Sequence, residues 1–414
     1  MSGWTGLQWL WLAAAAPLAL AAAYLLAITA AAFRNPDRRR IDGVFSGARV
    51  PGARFIFLIP AHNEELLLGE VVRRLGDQSY PATHRETVVI ADNCADRTAD
   101  IARTAGATVL ERRDDIRRGK GQALNWALHG PLQDWPRPYD AIVVVDADSV
   151  LNPDFLWFMD EALRAGHRAV QGYYGVLNPL ESWRTSLMTA ALAAFHFLRP
   201  LGRDRLGCSV GLKGNGMCFA RSLTEQFGYP AFSIVEDVEL ALIYLRSGVC
   251  VKFAAGAQVS GQMAATTREA DSQRRRWEGG RLPLLRTWAA PLWREGWRER
   301  SLAKLDGVLD LFVPPLTVLL LLTGLGWLAS LVLLWLHATV LAWTVAGVWS
   351  AALLALAVYV AAGLWLIRAP AGVWLRLACA PLFILWKIGL YLRMIRAPAA
   401  QKPEWIRTDR HAMK

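Results

Sequence analysis

Cysteine is scarce in this chain, and its few copies are poorly spaced for chemistry. The five present, Cys94, Cys208, Cys218, Cys250 and Cys379, share no CxxC spacing and have no nearby His pair. That excludes a zinc site of the usual pattern and suits buried or inert thiols in a reducing compartment. Internal repeats, low-complexity linkers and zinc-knuckle or helix-turn-helix patterns are also missing. The formal net charge of +11 therefore points to an anionic membrane face rather than to nucleic acid. Charged residues make up only 20% of the 414 positions against 54% hydrophobic ones. The apolar excess lies in a few long runs that read as membrane segments.

The first run, Trp4 to Phe33, has no Lys or Arg ahead of it and is followed by Arg34, Arg38, Arg39 and Arg40. A cleaved signal peptide carries its positive charge before the apolar stretch. Residues 1–34 are therefore expected to form an uncleaved transmembrane helix with its basic end inside. Val308 to Leu336 and Val340 to Ile367 are each long enough to span, and their link, His337-Ala338-Thr339, lacks Lys and Arg. Residues 308–367 thus read as a transmembrane hairpin with the link outside. Residues 372–395 are interrupted by Arg376, Pro381 and Lys387, so an interfacial or re-entrant helix is expected there, with a basic cytoplasmic tail at 396–414. Ahead of the hairpin, 279–305 interleaves Leu282, Leu285, Trp288, Trp293 and Trp297 with Arg281, Arg286, Arg294, Arg298 and Arg300. That mixture suits an amphipathic helix in the headgroup region, in contact with membrane lipids.

Residues 53–278 are of another kind: short β-rich runs, Phe55 to Ile59, Thr87 to Ala91 and Ala141 to Val145, alternate with helical patterns. The helices are expected at Glu65 to Leu75, Ala95 to Ala105 and Asp154 to Ala165, with Asp92 or Asn93 capping the second and Gly106 closing it. Strands buried on both faces between crossover helices predict an α/β fold with a Rossmann-like, mostly parallel, doubly wound sheet. In such sheets the ligand sits beyond the carboxyl ends of the strands.

Polar motifs stand at those ends. Asp146-Ala147-Asp148 follows the apolar strand Ala141 to Val145. Two carboxylates one residue apart can reach one hard cation and leave positions open for diphosphate oxygens. A DxD on a solvated turn would instead serve only as a strand end. Glu236-Asp237 opens the helical run Val238 to Leu245, where acidic residues complement a helix dipole or supply a base for an attacking hydroxyl. Asp237 is the candidate base. Gln273-Arg274-Arg275-Arg276-Trp277 precedes the interfacial segment. Arg274 and Arg275 suit lipid phosphates, whereas Arg276 and Trp277 suit a diphosphate and a sugar face.

Taken in order, Ile59-Pro60-Ala61-His62-Asn63-Glu64, Asp92 to Thr98, Gly119-Lys120-Gly121-Gln122-Ala123-Leu124-Asn125, Asp146-Ala147-Asp148, Glu236-Asp237 and Gln273 to Trp277 resemble family 2 glycosyltransferases of GT-A fold. The flanking layout is similar to the cellulose and hyaluronan synthase and the ceramide glucosyltransferase branches. The resemblance implies that Pro60, Ala61 and Glu64 line the nucleotide pocket, that Asp92 reads the base, usually uracil, and that Lys120 lies near the diphosphate. It implies Asp148 as principal ligand of Mg2+ or Mn2+, with Asp146 on the nucleotide side, and Asp237 as base of an inverting transfer. Gln273, Arg276 and Trp277 match QxxRW over the donor and acceptor channel, and Gly214, Asn215 and Glu236 fall near the acceptor. The expected protein is a multi-pass enzyme of the bacterial inner membrane with a cytoplasmic catalytic domain. It would use a UDP-sugar and extend an exopolysaccharide or lipid-linked glycan, with export partners possible, or alternatively glycosylate a membrane lipid. The departures are Ala91-Asp92-Asn93-Cys94 in place of paired aspartates, and fewer spanning segments than polymer-threading synthases have.

Overall fold

The computed structural model describes residues 3–34, 38–263 and 281–383. Its centre is an eight-stranded sheet of order β3-β2-β1-β4-β7-β6-β8-β5. The strands are β1 Phe55–Ala61, β2 Arg85–Asp92, β3 Thr108–Arg112, β4 Ala141–Val144, β5 Ser149–Leu151, β6 Ala169–Val176, β7 Met217–Ala220 and β8 Val251–Gly261. The strands β3, β2, β1 and β4 run parallel, as their unbroken apolar runs require: Phe57, Leu58, Ile59, Val143 and Val144 are fully buried. The other half is mixed. β7 lies antiparallel between β4 and β6, β6 and β8 are parallel, and β5 closes the edge antiparallel to β8. Strands as short as β5 and β7 carry too few residues for a periodic signal.

Helices cover the sheet and continue into the apolar layer. They are α1 Gly3–Ala32, α2 Arg38–Ile41, α3 Leu68–Leu75, α4 Thr98–Thr104, α5 Lys120–His129, α6 Phe155–Arg164, α7 Trp183–Leu192, α8 Arg199–Arg205, α9 Arg221–Phe227 and α10 Glu236–Arg246. Then come α11 Arg281–Arg298, α12 Leu302–Phe312, α13 Leu316–Leu336, α14 Val340–Leu366 and α15 Ala371–Arg376. The helix expected from Glu65 starts three residues later, because Glu64 and Glu65 donate their amides to Thr98 Oγ1 (2.8 Å) and Asp96 Oδ2 (3.3 Å). Neither Asp92 nor Asn93 caps α4. Asp92 ends β2 on Arg112, Asn93 adopts φ 52°, and the amide of Thr98 donates to Asp96 Oδ1 at 3.0 Å. Gly106, at φ +96°, does close α4.

Among the described residues three helices are long and apolar enough to cross a membrane: Trp4–Ala32, Leu316–Leu336 and Val340–Leu366. The stretch expected to span from Val308 is two helices. Pro314-Pro315 removes two backbone donors and turns the chain, so 308–312 belong to α12 and the long apolar helix α13 begins at Leu316. The amphipathic stretch likewise divides into α11 and the start of α12, tied by Lys304 Nζ donating to Glu299 Oε2 at 2.8 Å. Ala371–Phe383 is a shorter apolar helix, and the rest of 372–395 and the tail lie outside the described residues.

A buried ionic knot locks the catalytic unit to these helices. Arg203 pairs with Asp306 at 2.6 Å and Asp310 at 3.0 Å, Arg199 Nε stands 2.7 Å from Asp310, and Tyr24 Oη donates to Asp306 at 2.7 Å. Removing one partner from such a cluster is costly, because it strands the other charge away from water. Beside it α1 and α8 touch at Gly202. A Cβ there would lie 2.2 Å from the Ile28 carbonyl oxygen, so the two backbones approach as only glycine allows. Gly202→Ala is expected to lose about 1–3 kcal/mol, read as a lower unfolding midpoint in detergent; an unchanged midpoint would count against this close contact.

Candidate functional site

At the carboxyl ends of β1, β2 and β4 a cavity of about 1200 Å³ opens, and it runs without interruption to the spanning helices. Pro60 and Ala61 line it at the end of β1 with Glu64 just past it, Asp92 at the end of β2, and Asp146 and Asp148 past the end of β4. Lys120 at the start of α5, the Gly211-to-Gly214 loop, and Glu236 with Asp237 at the start of α10 face the same space. Toward the long apolar helices it is lined by Leu25, Val313, Leu316, Leu319 and Tyr359, together with the mutually paired Arg199, Arg203 and Asp310. That volume exceeds a typical small-ligand pocket of roughly 300–1,000 Å³, leaving room for two substrates.

Each polar wall has its own support. Asp92 accepts from Arg112 Nη1 at 2.6 Å; burial pushes its carboxyl pKa up, with Arg112 opposing. Lys120 donates to both Asp146 Oδ1 and the Gly214 carbonyl. Burial disfavours its charge, but Asp146 and Glu236 more than restore it, and its pKa ends above the usual lysine value. Gly214 adopts φ +77°, and a Cβ there would meet Asp237 Oδ2 at 3.6 Å, so the loop abuts that carboxylate in a backbone shape other residues resist.

Asn215, expected near an acceptor, is fully buried. It stands behind the acidic pair: its Oδ1 accepts from the Asp146 amide at 3.2 Å, its Nδ2 donates to Ser149 Oγ at 2.7 Å, and its carbonyl accepts from Gln171 at 2.8 Å. It can orient Asp146 but not touch a ligand. Gln273, Arg276 and Trp277 lie outside the described residues. Sequence reading missed Arg112 and Lys213. Arg112 pairs across a gap of twenty residues that no local spacing signals, and Lys213 sits inside the glycine loop without a hint of where its side chain goes.

Among the described residues no three His, Cys, Asp or Glu side chains gather as a ready metal cage. Asp146 and Asp148 could nonetheless hold a divalent ion. Both are oxygen donors facing one cavity, and a hard cation with few protein ligands completes its shell from phosphates and water. The donor set therefore fits Mg2+ or Mn2+ better than zinc.

The two carboxylates of α10 are poorly solvated. Burial pushes Glu236 up to about 7, with Lys120 opposing and Asp237 and Asp146 adding to the rise. Burial also raises Asp237, against the Val238 amide, Lys213 and Lys120. A carboxyl raised on folding stabilises the fold below its unfolded value, and that contribution is lost as pH rises through its folded value. Stability of the ligand-free protein is thus expected to fall between 4.5 and about 7. Glu236→Gln should flatten that slope in thermal melts across pH; an identical slope in the variant would refute the assignment.

The family Glycosyltransferase like family 2 matches residues 51–280. The chain is 26% identical over 232 residues to the probable glycosyltransferase YdaM of Bacillus subtilis (strain 168), covering 54% of this chain and 54% of that protein. It is 29% identical over 190 residues to the beta-monoglucosyldiacylglycerol synthase of Trichormus variabilis, covering 44% of this chain and 39% of that one. The chain thus spans about half the length, or less, of these curated relatives. Among solved structures, a mannosyltransferase from Pyrobaculum calidifontis in complex with GDP-Man and Mn2+ superposes with a TM-score of 0.51 at 18% identity, over 84% of this chain and 98% of that one. At that identity the likeness is one of fold.

Proposed function

The chain belongs to Glycosyltransferase like family 2, and from that premise we propose that it moves a sugar from a nucleoside diphosphate donor to a hydroxyl of a membrane lipid. The observation that carries the acceptor is the unbroken cavity from Asp146 and Asp148 to Leu25, Leu316, Leu319 and Tyr359. An amphipathic acceptor can lay its tail along that apolar end and present its head to the carboxylates. The lipid acceptor named for the Trichormus relative supports the same choice, as do the three apolar helices.

In this reading Pro60, Ala61, Glu64 and Asp92 hold the nucleoside, and UDP-sugars are the first donors to try. Lys120 keeps its charge beside the donor phosphates. Asp148, with Asp146, holds Mg2+ or Mn2+, which supplies positive charge to the leaving diphosphate when bound. Asp237 takes the acceptor proton as the hydroxyl attacks, and the single displacement inverts the anomeric carbon. Glu236 and Gly214 border the acceptor, and Asn215 acts on Asp146 from behind. Gln273, Arg276 and Trp277 are assigned by motif to the donor and acceptor channel. The spanning helices would make it a multi-pass protein of the inner membrane with its catalytic domain in the cytoplasm.

The test is to supply membranes carrying the protein with a panel of labelled nucleotide sugars. Label is expected in organic-soluble lipid. Label in precipitable polymer alone would overturn the lipid acceptor and restore the exopolysaccharide reading, with its export partners.

A further inference from the structure

Among the described residues that line the cavity, one cationic side chain forms no ion pair. The other described cationic side chains lining the space are paired: Lys120 with Asp146, Arg118 with Asp115, and Arg199 and Arg203 with Asp306 and Asp310. Lys213 lines the same space, and among the described residues its ammonium has no ion pair; it stands 4.1 Å from the Phe195 ring centroid. Its backbone amide is held by Gln171 Oε1 at 2.8 Å, which anchors the stem. Burial pulls its pKa down to about 8, with Asp310 and Asp237 opposing and Arg199 and Arg203 adding to the pull. It therefore still carries its proton at neutral pH.

The direction of this side chain separates it from the donor. Phe195 belongs to the wide turn Ala193–Leu198, which Tyr359 Oη of α14 fastens by donating to the Ala194 carbonyl at 2.8 Å. Lys213 thus leans on the membrane-facing wall, while Lys120 reaches Asp146 on the donor-facing one. Between them Gly214 abuts Asp237. Lys213 is half-buried, so its ammonium gives up part of its hydration without an ion pair in return, and an arriving anion offsets that loss with a charge-assisted hydrogen bond.

We propose that Lys213 binds the phosphate of an anionic phospholipid acceptor whose head group also carries the hydroxyl that receives the sugar. This rests on the lipid-acceptor reading above. The hydroxyl oxygen bonds to the anomeric carbon and its proton passes to Asp237. The bond from that carbon to the diphosphate oxygen breaks, and the nucleoside diphosphate leaves with the electron pair. The acyl chains run past Leu25, Leu316 and Leu319.

The experiment gives the detergent-purified full chain phosphatidylcholine vesicles doped with phosphatidylglycerol (phosphate and hydroxyl), diacylglycerol (hydroxyl only) or phosphatidic acid (phosphate only), and in parallel free glycerol phosphate. Phosphatidylglycerol is expected to be labelled in preference to diacylglycerol, phosphatidic acid to compete without being labelled, and free glycerol phosphate to be a poor acceptor. Lys213→Gln should raise the phosphatidylglycerol KM about ten- to a hundred-fold, with Lys213→Arg restoring most of it. Equal KM values in wild type and Lys213→Gln, or a larger rise in donor KM than in acceptor KM, would overturn the assignment. So would preferential use of free glycerol phosphate, which places the anion site apart from any lipid. Labelling of diacylglycerol alone overturns it while leaving the lipid-acceptor reading intact; label in polymer alone removes both.

Discussion

Asp237→Asn is expected to lower sugar transfer by about 10²- to 10⁴-fold while metal-dependent nucleotide binding persists. The amide keeps the shape of the side chain beside Gly214 but cannot accept a proton. A base matters most where the proton has nowhere else to go, and Asp237 lies in a poorly solvated part of the cavity that raises its own proton affinity. The neighbour Glu236, pushed up to about 7, is a second acceptor, so Glu236→Gln is the needed control. Saturating-donor kcat measured beside calorimetric nucleotide binding separates loss of chemistry from loss of binding. Full activity in Asp237→Asn would sink the base assignment, and full activity only when Glu236 is intact would move the role there.

The second large effect is expected at the strand end. Asp148→Asn should lower kcat/KM for the donor by about 10³-fold, the several kcal/mol that a cation at a departing diphosphate supplies. Chelation should reproduce that loss in the wild type, and Mn2+ or Mg2+ should restore it there but not in the variant. Asp148 is suited to this test because it is buried beside Ser149, whose Oγ donates to it at 3.4 Å, so a same-size amide keeps the packing. Wild-type activity that survives chelation would remove the ion from the proposal.

The motifs around the donor were legible because each is local. A strand buried on both faces must be apolar throughout, and the residues just past its end must then carry whatever chemistry the sheet presents. Phe55 to Ile59 and Thr87 to Ala91 lie in strands, and Ala141 to Val145 does so up to Val144; the ends of these strands bring Pro60, Asp92 and Asp146 to one cavity. Capping was read less well, since Asp92 has a partner, Arg112, on another strand that outcompetes the start of α4. The glycine loop was read as an acceptor contact, yet two of its residues face opposite ways: Gly214 fronts the cavity and Asn215 is enclosed behind it.

What the sequence by itself determined is where the chain can leave water, where it crosses from apolar strand to acidic turn, and which family of folds those transitions describe. These follow from backbone hydrogen bonding and hydrophobic burial over a few adjacent residues. Only the tertiary structure decided that α12, parted from α13 at Pro314-Pro315, carries Asp306 and Asp310 back onto Arg203, that the cavity reaches the apolar layer, and that Lys213 faces Phe195 with no ion pair among the described residues. The ion pairs join side chains about a hundred positions apart, and all three outcomes depend on how whole elements pack, which no local pattern records.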